Sequence, residues 1–275
     1  MELRELELTP LELRALGSTG LKVSVLGLGT VKIGRNEQVK YPQPFDLPDD
    51  AAVRNLFAQA HELGINFIDT APAYGSSELR LGQLLPKHQD WVVITKVGEI
   101  FEHGASRFDF SAAYTRASVE ASLQRTRRDV MDIVLVHSDG DDIRIIEQQG
   151  ALEALDKLKQ KGLIKAFGMS TKTVAGGLWI VEHCDVVMAT CNLDYNDEAD
   201  VIALAHKLKK GVVIKKGLQS GHADSASGGG GVEQSIAHVL SQPGVSSMIV
   251  GTINKKHLAD NVAMANRVTG MTQVD

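Results

Sequence analysis

The hydrophobic positions of this chain gather into short runs, separated by amphipathic stretches, along nearly its whole length. INFID, WVVIT, DIVLVH, LIKAFGMS, DVVMATCN, GVVIK and VSSMIVG are apolar runs of strand length, rich in Val and Ile. Continuous rather than alternating apolar runs mark strands buried on both faces, as in a parallel sheet. With a further run near Val23 they predict eight strands, at 23–27, 65–69, 91–95, 133–137, 164–168, 186–190, 212–215 and 247–250. Helices are expected between them, at about 49–63, 77–85, 111–126, 151–161, 174–183, 197–210, 232–240 and 254–268. Their ends carry the usual chemistry: Asp49 or Asp50 and Ser111 as N-caps, Gly64, Gly162 and Gly211 as stops. Eight such units in about 250 residues fit an α/β fold of the (β/α)8 TIM barrel class. A doubly wound sheet is the competing arrangement. Its G-x-G-x-x-G fingerprint is missing, because Gly27-Leu28-Gly29 runs on into Thr30, Val31 and Lys32.

Before the first unit, ELRALGSTGLKVSVLGLGT reads as two short strands around Gly17-Ser18-Thr19-Gly20, an N-terminal β-hairpin. Residues 32–49 hold Pro42, Pro44 and Pro48 and read as a loop, long enough to carry function or motion. The stretch DSASGGGG at 224–231 reads as a flexible surface loop. The Val232-Glu233-Gln234 that follows does not complete a phosphate-binding loop.

Composition narrows the function classes. The 275 residues carry 29 Lys+Arg against 34 Asp+Glu, a net charge of −5, which argues against general nucleic-acid or anionic-membrane binding. No stretch of about 18 uncharged apolar residues occurs, so no transmembrane helix is expected. The start, MELRELELTPLELR, lacks the basic and apolar regions of a secretory signal. Cys184 and Cys191 make neither a disulfide framework nor a zinc spacing, and a reducing cytoplasm is the expected compartment. Length alone allows two domains or one barrel; eight strands favour a single domain over 1–275, with its core at about 14–268.

In a barrel, the chemistry sits at the C-terminal ends of the strands. Those ends carry Asp69, Lys96 and His137, with Tyr74 five residues beyond Asp69. Adjacent strands lie about 4.8 Å apart, so these four side chains can meet. Each also has a structural reading: a helix-capping Asp, a paired buried Lys, a satisfied strand-end His. Together they suit proton donation to a carbonyl oxygen. A neighbouring ammonium is expected to lower a tyrosine pKa, an aspartate to hold that ammonium, and a histidine to orient the carbonyl. None is a redox group, so the electron pair must come from a cofactor.

RALGSTGLKVSVLGLGT, GINFIDTAPAYGSSELRLGQLL, the strand ending ITK, RTRRDVMDIVLVHSD, KLKQKGLIKAFGMST and PGVSSMIVGT with LADNV together resemble the aldo-keto reductase superfamily, over about 14–268. The resemblance implies a barrel closed at its bottom by the hairpin. It also implies NADP(H), in preference to NAD(H), bound in an extended pose. By it Tyr74 is the general acid in carbonyl reduction and the base in alcohol oxidation, tuned by Lys96 and Asp69, with His137 positioning the carbonyl.

On the cofactor side the resemblance assigns Ser170 and Asn192 to the nicotinamide amide. Thr171 stands where the family has Asn, and Asn192 where it has Gln. Lys215 stands where the family stacks an aromatic ring; its ammonium suits a pyrophosphate oxygen or, alternatively, snorkels to solvent. Leu218 follows in the same loop. Thr252, Lys256, His257, Asp260 and Asn261 fall at the adenosine end, with His257 in place of an arginine.

A small carbonyl compound or sugar is the implied partner, and no oligomeric state is implied. A nicotinamide-binding sensor with little activity is the alternative. A metal-dependent hydrolase is disfavoured, since no His-x-His or His-Glu-x-x-His spacing occurs. The last helix is expected to end near Val268, too late for a long C-terminal lid. The loops at 32–49, 98–110 and 138–149 are expected to line the mouth. Tyr41, Phe45, Phe101, Phe108 and Phe110 would give an aromatic wall, and Asp139, Asp141 and Asp142 an acidic rim.

Overall fold

The computed structural model describes residues 11–39, 41, 43–221 and 231–271. Strands β1 (Leu13–Ala15) and β2 (Lys22–Ser24) form the expected antiparallel hairpin, with Ala15 opposite Lys22. Ser246 Oγ donates to the Ala15 carbonyl at 3.0 Å, and fully buried Leu16 plugs the barrel interior, so the hairpin closes one end.

Eight parallel strands then close on themselves: β3 (Leu26–Gly29), β4 (Phe67–Asp69), β5 (Val92–Val97), β8 (Met131–His137), β9 (Ile164–Ser170), β10 (Val186–Thr190), β11 (Gly211–Lys215) and β12 (Ser247–Val250), which pairs back to β3. Two apolar layers hold them. Phe67, Ile94, Ile133, Leu135, Ala166, Met188 and Val213 fill the interior. A larger shell, including Phe57, Trp91, Leu155 and Ile180, joins the strands to the outer helices. The caps act as the sequence suggests: Asp49 accepts from the Ala52 amide at 2.7 Å and Ser111 from the Tyr114 amide at 3.2 Å.

Several boundaries move. The expected first strand, 23–27, is two strands. Val25 donates to the Glu12 carbonyl in the hairpin and accepts from the Met248 amide in the barrel, so the chain changes sheets there. The 98–110 segment is a second hairpin, β6 (Glu99–Glu102) and β7 (Ala105–Phe108). Helix Asp142–Gln148 lies within 138–149, helix Val31–Gly34 opens 32–49, and the last helix runs Lys255–Met271. Residues 224–230 of the glycine-rich stretch lie outside the described residues, while Gly231 begins helix Gly231–Leu240. Among the described residues no helix is long and apolar enough to cross a membrane, and both cysteines are buried.

Candidate active site

The end of β4 delivers Asp69, and a short 3-10 turn, Pro72–Tyr74, returns the chain so that Tyr74 faces it. Glycine makes this turn possible. Gly75 has φ +61°, and a side chain there would collide with the Gly34 carbonyl at 2.2 Å, so the Tyr74 turn seats directly on helix Val31–Gly34. Beneath it, Ser77 Oγ donates to Thr30 Oγ1 at 2.6 Å, and Thr30 Oγ1 donates to the Asp69 carbonyl at 2.9 Å.

Lys96 projects from β5 and is 1% exposed, too buried to stay charged alone. Its ammonium pairs with Asp69 Oδ1 and donates to the Thr70 carbonyl at 3.0 Å and the Tyr74 hydroxyl at 3.1 Å. Burial works against the ammonium, but Asp69 and Tyr74 outweigh it, so the Lys96 pKa stands above its ordinary value. Tyr74 goes the other way from the sequence expectation. Burial pushes its hydroxyl up to about 12, even though Lys96 pulls it down. His137, at the end of β8, meets the Tyr74 ring edge-on at 6.2 Å. Burial lowers the imidazole pKa, Glu99 opposes that, and the charges of Lys96 and Lys215 reinforce it.

These four residues line one cleft of about 830 Å3 at the C-terminal end of the barrel. Ser170, Lys215, Leu218, Thr252, Lys256, His257, Asp260 and Asn261 line the same cleft. Asn192 is not among its lining residues. Its amide is engaged by the Lys216 carbonyl at 3.2 Å and the Asp194 amide at 3.0 Å. Lys215 does not snorkel to solvent. It turns inward, donating to Ser170 Oγ at 2.9 Å and to the Thr171 carbonyl, and burial lowers its pKa to about 8. At the far end, Asn254 Oδ1 accepts from the Lys256 and His257 amides, at 2.9 and 3.2 Å. Any anion there would meet side chains rather than those two amides. Lys256 also reaches Asp260 at 2.7 Å.

The mouth differs from expectation. Tyr41 lines it, with Phe45 edge-on at 5.7 Å and the Lys32 ammonium 3.9 Å from the Tyr41 ring centre. Phe101 instead packs under Arg35, while Phe110 is buried beside Phe108. The acidic rim expected from Asp139, Asp141 and Asp142 is not among the cleft's described lining residues. Buried Asp142 accepts from the Lys172 and Thr173 amides, Asp139 and Asp141 accept from the backbone amides of Asp141 and Arg144 in their own turn, and both also pair with the Arg144 side chain. Among the described residues, the acidic side chains that do line the cleft are Asp69, Glu99 and Asp260.

Glu99 and Arg35 escaped the sequence reading. The available signal was His103-Gly104, a turn pair with φ +53° and +75°, which marks the hairpin that carries Glu99.

The family model "Aldo/keto reductase family" matches residues 25–230. The chain belongs to the aldo/keto reductase family. A crystal structure of a candidate aldo-keto reductase from Pseudomonas aeruginosa is 50% identical, covering 94% of this chain and 96% of that one, with a TM-score of 0.85. Among curated family relatives, L-galactose dehydrogenase of Arabidopsis thaliana is 35% identical over 75% of this chain and 65% of its own length. D-arabinose 1-dehydrogenase of Saccharomyces cerevisiae is 33% identical over 54% and 48%. NADH-specific methylglyoxal reductase of Escherichia coli is 34% identical over 56% and 50%. The chain thus spans about half to two thirds of the length of these relatives.

Proposed function

We propose that this chain is an NADP(H)-dependent oxidoreductase that interconverts aldehydes or ketones and alcohols, with Tyr74 as the proton donor and acceptor. The observation that carries this reading is the Asp69–Lys96–Tyr74 chain of contacts, buried at the base of one cleft. Sugars and small aldehydes are the substrate class, in keeping with the names of the relatives.

The cleft's donor set fits a nicotinamide dinucleotide. One end offers Ser170 beside Tyr74 and His137; the other offers Lys256 and His257 near Thr252. Ser170 would hold the nicotinamide amide, Lys215 and Leu218 would lie along the middle, and Lys256, His257, Asp260 and Asn261 would hold the adenosine end. Cations at that end favour the extra phosphate of NADP(H) over NAD(H). The bound dinucleotide supplies or accepts the hydride that no side chain here can carry.

The protein's own work is proton handling and orientation. Tyr74 donates its hydroxyl proton to the carbonyl oxygen in reduction and recovers it in oxidation. Lys96 stabilises the phenolate formed in that step, and Asp69 keeps Lys96 charged. His137 orients the substrate oxygen beside Tyr74.

Tyr74→Phe is the test: NADPH titration should be unchanged while aldehyde reduction falls by roughly 10²–10⁴-fold. Retained turnover would overturn the assignment. The occupation of Ser170 by Lys215 favours a second reading, a nicotinamide-binding sensor. Tight NADPH binding with no turnover by the unaltered protein, across aldehydes and sugars, would select it.

A further inference from the structure

The β6–β7 hairpin brings one carboxylate into the cleft. Glu99 Oε2 lies 2.8 Å from His137 Nδ1, at ion-pair distance though off the N–H axis. Its other oxygen accepts from Ser106 Oγ at 2.6 Å and stands 3.6 Å from Arg35. Arg35 is itself fixed. It donates to the carbonyls of Glu37, Gln38 and Ala73 at 2.8, 3.1 and 3.1 Å, and its guanidinium lies 3.4 Å over the Phe101 ring. Ala73 immediately precedes Tyr74, so one arginine ties the tyrosine turn to the carboxylate that meets the histidine.

We infer that Glu99 is a positioning residue: it holds His137 in the Nδ1–H tautomer, so that the ring can donate to a substrate oxygen only as the imidazolium. The reason is electrostatic. Although Oε2 lies off the N–H axis, its negative charge 2.8 Å from Nδ1 favours a proton on that nitrogen over a bare lone pair, so the proton resides on Nδ1. The other nitrogen, Nε2, then carries only a lone pair in the neutral ring and gains a proton only when the ring is charged.

Glu99 is ionised well into acid. Although burial raises its pKa, His137, Ser106 and Arg35 bring it down to about 2. The groups facing the ring oppose one another: Glu99 from β6 favours the imidazolium, and Lys96 from β5 and Lys215 from β11 disfavour it. Tyr74 contributes the neutral ring edge. A role for the imidazolium in catalysis rests on the reductase reading above; the tautomer does not.

The experiment is therefore 15N NMR of the histidine side chains at a series of pH values, with His137 assigned by the signal lost in His137→Asn. The neutral wild-type ring should report a proton on Nδ1. Glu99→Gln should lower the pH at which the ring titrates, and Glu99→Leu should admit the Nε2–H tautomer. An Nε2–H ring in the wild type, or an unmoved titration in Glu99→Gln, would overturn the inference.

Kinetics supply the second arm. In mild acid, reductive kcat/KM of Glu99→Gln should fall roughly tenfold, the difference between a charge-assisted and a neutral hydrogen bond, with NADPH affinity unchanged. In Glu99→Leu the reductive rate should lose its dependence on His137 protonation. A wild type with the expected tautomer but no turnover would uphold the Glu99 assignment and reject the reductase reading instead. An active enzyme with the wrong tautomer would do the reverse.

Discussion

Lys215 reaches across β10 to donate to Ser170 Oγ on β9 at 2.9 Å. The contact places an ammonium where burial holds its pKa near 8, below the ordinary 10.5. The unfolded chain therefore binds more protons than the native one between about pH 8 and 10.5, and stability rises with pH across that window. Lys215→Met is expected to stabilise the protein at pH 7 by about 1 kcal/mol, after allowing for the lost hydrogen bonds. The gain should shrink as pH climbs from 8 to 10.5. Urea unfolding at pH 7 and 10 checks this; a less stable Met variant at pH 7 would contradict it.

The Tyr74 hydroxyl, pushed up to about 12 by burial against the pull of Lys96, stays protonated across the ordinary working range. Reduction should therefore not lose its acid as pH rises from 7 to 10. Alcohol oxidation, which needs the base, should climb about tenfold per pH unit until another step limits it. Lys96→Met removes the pull and should move the oxidative limb to still higher pH. Initial rates in both directions test this, and an oxidative plateau below pH 9 in kcat/KM would refute it.

Asp69 is 6% exposed and Lys96 1%, so each is the other's charge partner in a dry site. Asp69→Asn leaves a buried ammonium uncompensated and is expected to cost about 3–5 kcal/mol. Lys96→Met combined with Asp69→Asn should cost less than Asp69→Asn alone, because no unpaired charge remains. Denaturant midpoints of the unaltered protein, both single variants and the double variant give the comparison, and simple additivity would argue against coupling.

Lys256 is largely exposed and pairs with Asp260, while His257 stands beside it at the start of the last helix. If they meet the extra phosphate of NADP(H), Lys256→Ala with His257→Ala should weaken NADPH by about ten- to a hundredfold. NADH binding should change much less. Fluorescence titration with both nucleotides measures the ratio; equal losses would show that neither side chain distinguishes them.

Much of the architecture was legible because it is written locally. Apolar runs near Ile65, Trp91, Ile133, Ile164, Val186, Val212 and Ser247 each contain a barrel strand, since a strand buried on both faces must be largely apolar. The 98–110 hairpin was harder. Of its strand residues only Ile100 is well buried, so it lacks the hydrophobic run that betrays a strand. Val25 was harder still: Val23 and Leu26 are both fully buried, and nothing in their neighbours records that they serve different sheets.

The sequence by itself determined the barrel, its hairpin and the membership of Asp69, Tyr74, Lys96 and His137 at strand ends and the loop after one of them, because periodicity and turn residues act between neighbours in the chain. Tertiary structure alone decided what surrounds them. It set the desolvation that raises Tyr74 despite Lys96, turned Lys215 onto Ser170, engaged Asn192 elsewhere, and brought Glu99 against His137. These outcomes depend on burial and on partners between 22 and 45 residues apart in the chain, which meet only when the barrel closes.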